Sequence, residues 1–269
     1  MKKVSFPNLP TYQFQLFEPF SGKIQHAILT RQCGISKPPF DTLNVRFSIG
    51  DTPENVAANR KLICDGLKIP VNNFISADQT HSKNVWVVDQ DFLASIQGKN
   101  DGTFSDMVQN ADALVTNIPS ATLMIQVADC QALLLFDPVK KVIGAVHAGW
   151  KGLVQDITGE TIKVMREKFQ VDPANLKVGV APSLGPCCSQ FSDPENEIPA
   201  QYHQYITQNK SVDLWQLSLD QLQKYGVLAT NIELTKRCTS CEGADEFYCF
   251  RREKGTTGRF GVLINLKAY

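Results

Sequence analysis

Between residues 84 and 146 the chain passes through five short segments, 84–88, 113–116, 122–127, 132–136 and 142–146. Each is rich in branched or aromatic side chains and is set off by polar residues, Pro or Asp. Such segments read as strands, spaced closely enough for sequence neighbours to pair. Directly after them Leu153, Ile157, Thr161, Met165 and Phe169 recur every fourth residue. That period predicts one helix of about 18 residues, starting at Ala148-Gly149-Trp150 and stopped by Asp172-Pro173. Strands in a run with helices between groups do not alternate as a doubly wound chain requires. They predict an α+β fold of mixed β-sheets flanked by helices.

Other signals extend this frame. Thr52-Pro53-Glu54 offers a capping hydroxyl, a proline at the first helical position and an acid in the first turn, and Val56, Ala57, Ile63, Cys64 and Leu67 supply an apolar stripe behind it. A strand is expected at 176–180. Trp215, Leu219 and Leu222 predict a helix that closes at Lys224-Tyr225-Gly226. The tail 247–266 carries aromatic and branched residues around Gly255-Thr256-Thr257-Gly258 and predicts a closing hairpin. At 269 residues, with no repeat and no low-complexity linker, the chain is read as a single domain over 1–269.

Charge narrows the choice of partners. The 27 Lys and Arg balance the 27 Asp and Glu, so no overall field favours nucleic acid or anionic lipid, and an anionic ligand must be met locally. Pro7 and Pro10 interrupt the segment after Met1-Lys2-Lys3, and no apolar run reaches membrane-spanning length. The reading is a cytoplasmic protein whose eight cysteines are reduced, a monomer or weak dimer.

Three segments place a metal-ligating side chain at the end of an apolar strand: Gln79-Thr80-His81-Ser82, Ala128-Asp129-Cys130 and Val146-His147-Ala148-Gly149. Two imidazoles and one thiolate match a catalytic zinc site, which has three protein ligands and one open position; a closed structural site has four. Asp129, beside Cys130, is placed to orient a ligating histidine. The same trio also suits a thiol nucleophile with a histidine base, Cys130 with His81 or His147. With four histidines in total the chain cannot supply a trinuclear copper cluster.

The vicinal pair Cys187-Cys188 and the single C-x-x-C at Cys238-Thr239-Ser240-Cys241 lack the second C-x-x-C or histidine pair of a zinc ribbon, and stay undecided. Cys33, Cys64 and Cys249 are read as structural. For anions, Gly149-Trp150-Lys151-Gly152 opens a helix whose free N–H groups and Lys151 favour phosphate. Arg251, Arg252 and Arg259 bracket the glycine turn with guanidinium forks. Arg60 lies on the apolar side of the 53–67 helix, where a charge needs a partner.

Gln79-Thr80-His81, Ala111-Asp112-Ala113-Leu114, Ala128-Asp129-Cys130, His147-Ala148-Gly149-Trp150, Gly185-Pro186-Cys187-Cys188, and Arg251-Arg252 with Thr257-Gly258-Arg259 resemble, in order, the signature blocks of the YfiH family, also called laccase-domain or multicopper polyphenol oxidase proteins. The resemblance runs from about Asn44 to Arg259. It implies an α/β/β/α domain with zinc held at His81, Cys130 and His147. It also implies phosphorolysis of adenosine, inosine, guanosine and methylthioadenosine to base and sugar 1-phosphate, with deamination of adenosine. Within it, Arg60, Gln79, Asp129, Lys151 and Arg251 are the residues expected to meet nucleoside or phosphate. The family's other descriptions, copper polyphenol oxidase and peptidoglycan editing factor, supply the rivals: a copper enzyme, a cysteine hydrolase of peptidoglycan-type amides, or a noncatalytic metal-binding protein. Cys249, Phe250 and Ser189 depart from the family pattern, which has serine and tyrosine before the arginine pair and an aromatic residue after the double cysteine.

Overall fold

The computed structural model describes residues 1–7, 9–97 and 108–268. Their strands are β1 (Lys2–Phe6), β2 (Leu9–Gln13), β3 (Ile24–Leu29), β4 (Phe74–Ser76), β5 (Val85–Val87), β6 (Ala113–Thr116), β7 (Thr122–Val127), β8 (Gln131–Asp137), β9 (Val142–Ala148), β10 (Lys177–Val180), β11 (Ile232–Leu234) and β12 (Phe260–Leu266). They form two six-stranded sheets, ordered β1-β2-β3-β12-β7-β4 and β11-β10-β8-β9-β6-β5. Both are mixed: β8 and β9 pair antiparallel, whereas β4 with β7, β5 with β6 and β10 with β11 are parallel.

The sheets face each other across one core. Ile125 and Val127 of β7 and Val262 and Ile264 of β12 pack with Leu134 and Phe136 of β8 and Ala145 of β9. The outer face of the first sheet is covered by α1 (Pro53–Leu67), whose Ile63, Cys64 and Leu67 meet Leu29, Met124 and Leu263. Thr52 Oγ1 caps α1 by accepting the Asn55 N–H at 3.3 Å. The helices α2 (Gln90–Gln97), α3 (Trp150–Val154), α4 (Ile157–Phe169), α5 (Pro194–Glu197) and α6 (Leu214–Lys224) complete the set. Ile162 and Met165 of α4 and Leu217 and Leu222 of α6 cover Leu133, Leu135 and Val146 on the outer face of the second sheet. The layers therefore run helix, sheet, sheet, helix. Every residue of β7, β8, β9 and β12 is buried, because each of these strands is covered on both faces.

Three local expectations change. The 122–127 strand does not pair with its sequence neighbours; it joins the first sheet between β12 and β4, and the chain crosses to the second sheet through 128–130. The 18-residue helix is two helices. Asp156 turns left-handed (φ 65°), caps α4 by accepting the Gly159 N–H, and takes the Tyr225 hydroxyl at 2.5 Å. The tail forms one strand and no hairpin, since β3 and β7 occupy both edges of β12. Phe247 and Tyr248 instead enter the core from a loop.

Candidate active site

His147 sits near the end of β9, one residue beyond Val146, which pairs with Ala113 at the start of β6. That register brings Asp112 beside the ring, and Asp112 Oδ1 lies 2.7 Å from His147 Nδ1. Asp112 is fully buried, and its carboxylate also accepts the N–H of His81 (3.0 Å), the N–H of Ser82 (2.7 Å) and the Ser82 hydroxyl (2.6 Å). Burial alone would raise the Asp112 pKa, but the bonds from His147 and Ser82 outweigh it and hold the group down at about 2. An ionised Asp112 accepts the proton on Nδ1, so Nε2 is the nitrogen through which His147 can bind once its own proton is displaced.

His81 has φ 62° and Gln79 φ 52°, both in the left-handed region that side chains rarely adopt. This turn is held by the Gln79 amide, which donates to the Gln126 carbonyl at 2.7 Å and accepts the Gln126 N–H at 2.8 Å, tying it to β7. Cys130 stands where the chain leaves β7 for β8, and Asp129 before it has φ 90°. Its Sγ lies 3.8 Å from His81 Nε2, and the ligand atoms of His81, Cys130 and His147 are all within 4.8 Å of one another.

The donor set fits a metal. Ligand atoms at about 2.0–2.3 Å from one zinc lie roughly 3–4 Å apart, and an acid on the remote nitrogen is the usual support for a ligating histidine. A Cβ at Gly149 would reach within 2.8 Å of His81 Cδ2 and 3.0 Å of Cys130 Sγ, so only glycine leaves the cradle open. Burial would raise the Cys130 thiol and lower His147. Instead the imidazole pulls the thiol down and the thiolate and Asp112 pull the imidazole up, so the pair favours thiolate and imidazolium.

The trio opens into a cavity of about 520 Å³. Trp150, Leu184, Phe191 and Leu214 give it an apolar lining, and Arg46, Arg251 and Arg259 a cationic one. Trp150 and Phe191 meet edge to face at 5.6 Å. The arginines donate to backbone oxygens: Arg46 to Asp78, Arg251 to Gln190, Arg259 to Thr257 and Gly258. Among the described residues none of the three has a carboxylate at ion-pair distance. Burial first, and the Arg46 guanidinium second, lower the Arg259 pKa.

Of the residues singled out in the sequence, His81, Cys130, His147, Gln79, Asp129, Arg251 and Arg259 line this cavity. Asp129 does not orient a histidine. Its left-handed backbone turns the carboxylate toward Thr239 Oγ1 (2.7 Å) and the Arg251 N–H (2.7 Å), and Asp112 takes the orienting place. Arg60 lies away from the cavity, fully buried under Phe47, donating to the Val45 carbonyl at 2.8 Å and to Ser76 Oγ at 3.1 Å. Lys151 is exposed, its ammonium 5.6 Å from the Trp150 ring centre, on a helix of only five residues. Arg46 was not anticipated, as it lies in a loop without periodicity. Asp112 was visible only as an acid inside an apolar block. Of the positions departing from the family pattern, Phe250 and Ser189 line the cavity, while Cys249 is buried and does not.

The chain is similar to known proteins over most of its length. A model of the family described as multi-copper polyphenol oxidoreductase laccase matches residues 25–267. A purine nucleoside phosphorylase of Deinococcus radiodurans is 31% identical over 251 residues, 90% of this chain and 89% of the relative. The purine nucleoside phosphorylase YlmD of Bacillus subtilis strain 168 is 30% identical over 247 residues, 88% of this chain and 87% of the relative. The crystal structure of YlmD from Geobacillus stearothermophilus superposes with a TM-score of 0.86 at 26% identity, covering 98% of both chains.

Proposed function

The chain belongs to the multi-copper polyphenol oxidoreductase laccase family, and on that premise we propose that it is a zinc-dependent purine nucleoside phosphorylase that also deaminates adenosine. The observation that carries the reading is the His81, Cys130, His147 trio opening into a cavity that is apolar on some of its lining and cationic on the rest. The relatives named purine nucleoside phosphorylase support it.

His81, Cys130 and His147 would hold the zinc. Three ligands leave one coordination position open, and the ion supplies Lewis-acid chemistry and water activation at neutral pH. Asp112 fixes the His147 tautomer, anchors the His81 backbone and keeps both imidazoles aimed at Cys130. Trp150, Phe191 and Leu214 offer an apolar slot for a purine. Arg46 and Arg259, neither at ion-pair distance from a carboxylate among the described residues, hold phosphate near the sugar. In phosphorolysis the bond between sugar carbon and base nitrogen breaks, a phosphate oxygen joins that carbon, and the base leaves with a proton. Placing phosphate and nucleoside together accounts for most of such an acceleration. In deamination water adds to the ring carbon bearing the amino group and ammonia leaves. Phe250 and Ser189 alter the lining and tune which base is preferred.

Copper polyphenol oxidation would need further imidazoles. His26 accepts the Phe14 N–H and His203 Nε2 bonds the Ile198 carbonyl at 2.9 Å, so neither can join the trio. One observation favours the cysteine hydrolase: Cys130, His147 and Asp112 stand in the order nucleophile, base and orienting acid. Purified protein incubated with adenosine and phosphate, and followed by chromatography, should yield adenine, inosine and ribose 1-phosphate, with one zinc lost in His81→Ala. No turnover above a Cys130→Ala control sinks the proposal. Metal-free protein inactivated by a thiol alkylator would favour the hydrolase instead.

A further inference from the structure

The vicinal cysteines and the C-x-x-C look unrelated in sequence, but the sheet brings them together. β10 and β11 are parallel neighbours, Val178 opposite Ile232, so the segments that follow them leave the same sheet end side by side. The contact continues beyond the strands as a parallel bridge between Ser183 and Cys238, with the Thr239 N–H donating to the Ser183 carbonyl at 3.1 Å. The turn at Gly185-Pro186, closed by the Cys188 N–H on the Gly185 carbonyl, then presents Cys187 and Cys188 to the loop that holds Cys238 and Cys241.

We propose that Cys187, Cys188, Cys238 and Cys241 bind a second zinc ion as a closed tetrathiolate site, separate from the His81, Cys130, His147 centre. Their four sulfurs lie within 4.8 Å of one another, and Cys187 Sγ is 3.4 Å from Cys241 Sγ. Sulfurs placed tetrahedrally at about 2.3 Å from zinc are roughly 3.8 Å apart, a separation inside that range. The sulfur of Cys238 is fully buried and accepts the Gly185 N–H at 3.4 Å. A backbone donor on the first sulfur of a C-x-x-C stabilises a thiolate ligand. Four thiols this close cannot all ionise without a cation among them. Binding exchanges four thiol protons for one Zn²⁺, with no change of oxidation state. Four protein ligands leave no open position, so the site is structural.

Its position gives it a purpose. Thr239, inside the C-x-x-C, donates to Asp129, which neighbours Cys130 and also fixes the Arg251 N–H. Arg252 donates to the carbonyls of Thr239 (2.5 Å) and Ser240 (3.2 Å). The tetrathiolate would pin the 183–188 turn to the 238–252 loop, and with it Asp129 and Arg251 on the cavity lining.

The test is metal counting on protein purified anaerobically with reductant. Wild type should carry two zinc per chain. His81→Ala should keep one, and so should Cys187→Ser and Cys241→Ser, both exposed positions that leave the core unchanged. Titrating cobalt(II) into metal-depleted His81→Ala protein should give the visible bands of tetrahedral tetrathiolate cobalt, a readout that needs no cysteine variant to fold. One zinc in wild type that Cys187→Ser does not change, no such bands in His81→Ala, or a Cys187–Cys241 disulfide in the reduced preparation would each overturn the proposal. Nucleoside turnover is measured separately, so failure of one site is not mistaken for failure of the other.

Discussion

The chain buries two histidines, and they are opposites. His26 lies on β3, 5% exposed, stacked against Phe14 and edge-on to Phe17, and its Nε2 accepts the Phe14 N–H at 2.8 Å. Burial pulls its pKa down to about 4. His147 is 3% exposed, yet Cys130 and Asp112 carry its pKa upward against the same burial. Desolvation penalises charge at both places, and what differs is whether an anion faces the ring. A buried histidine with only a backbone donor is held neutral as packing; one between a thiolate and a carboxylate is built for chemistry.

The largest effect separating them is acid stability at His26. Its folded pKa is depressed, so its contribution is complete above the unfolded value of about 6.5 and is lost as pH falls toward 4. The gap corresponds to about 3 kcal/mol at most. His26→Gln keeps an acceptor for the Phe14 N–H and does not titrate. The difference in urea midpoint between wild type and His26→Gln should therefore shift against wild type between pH 7 and pH 4.5. Equal slopes would mean that His26 is not held neutral. The His147 pair behaves differently in metal-free protein. Near pH 7.5 the folded pair holds one proton on the ring and the unfolded pair one on the sulfur, so stability is flat with pH there.

Next in size is Asp112→Asn, which removes the anion from His147 and makes its surroundings resemble those of His26. Losing such a supporting acid costs roughly 10–100-fold in metal affinity or turnover. Zinc competition against a chelator, with the nucleoside assay alongside, should show that loss, and thiolate character at Cys130, read by alkylation of metal-free protein, should fall with it. An unchanged zinc affinity would leave Asp112 as mere packing.

The two histidines also show what the sequence could disclose. Strand periodicity at 84–146, the Thr52 cap and the Gly226 exit are local properties, and they correspond to β5 to β9, α1 and α6. The trio was legible because each ligand ends an apolar strand. The orienting acid was not. Asp129 adjoins Cys130 in sequence, but its carboxylate is turned to Thr239 and the Arg251 N–H, whereas Asp112 reaches His147 only through the pairing of β6 with β9. The buried charge of Arg60 signalled a need for partners, and it finds them in a carbonyl and a serine away from the cavity. Sheet membership of β7 and the meeting of the two cysteine pairs are likewise set by non-local strand pairing, which spacing does not encode.

The smallest effect tests the same rule on cations. Lys151 opens a helix and carries charge, but its ammonium is solvated over the Trp150 ring, a contact worth about 0.5–1 kcal/mol at an exposed site. Helix α3 has five residues, and Gly149 caps it without a side chain, so its dipole is short. Arg259 lines the cavity together with Arg46, whose guanidinium, after burial, lowers its pKa, and among the described residues neither has a carboxylate at ion-pair distance. A charge held against a like charge is the one with most to gain from a phosphate, since the ligand relieves a repulsion already present. Arg259→Gln should therefore raise the KM for phosphate about tenfold or more, on the scale of one charge-assisted bond. Lys151→Ala should change it by less than about threefold, within what loss of a weak cation–π contact allows. If the two variants moved KM equally, the helix start would be the phosphate site, and the rule drawn from His26 and His147 would not extend to these cations.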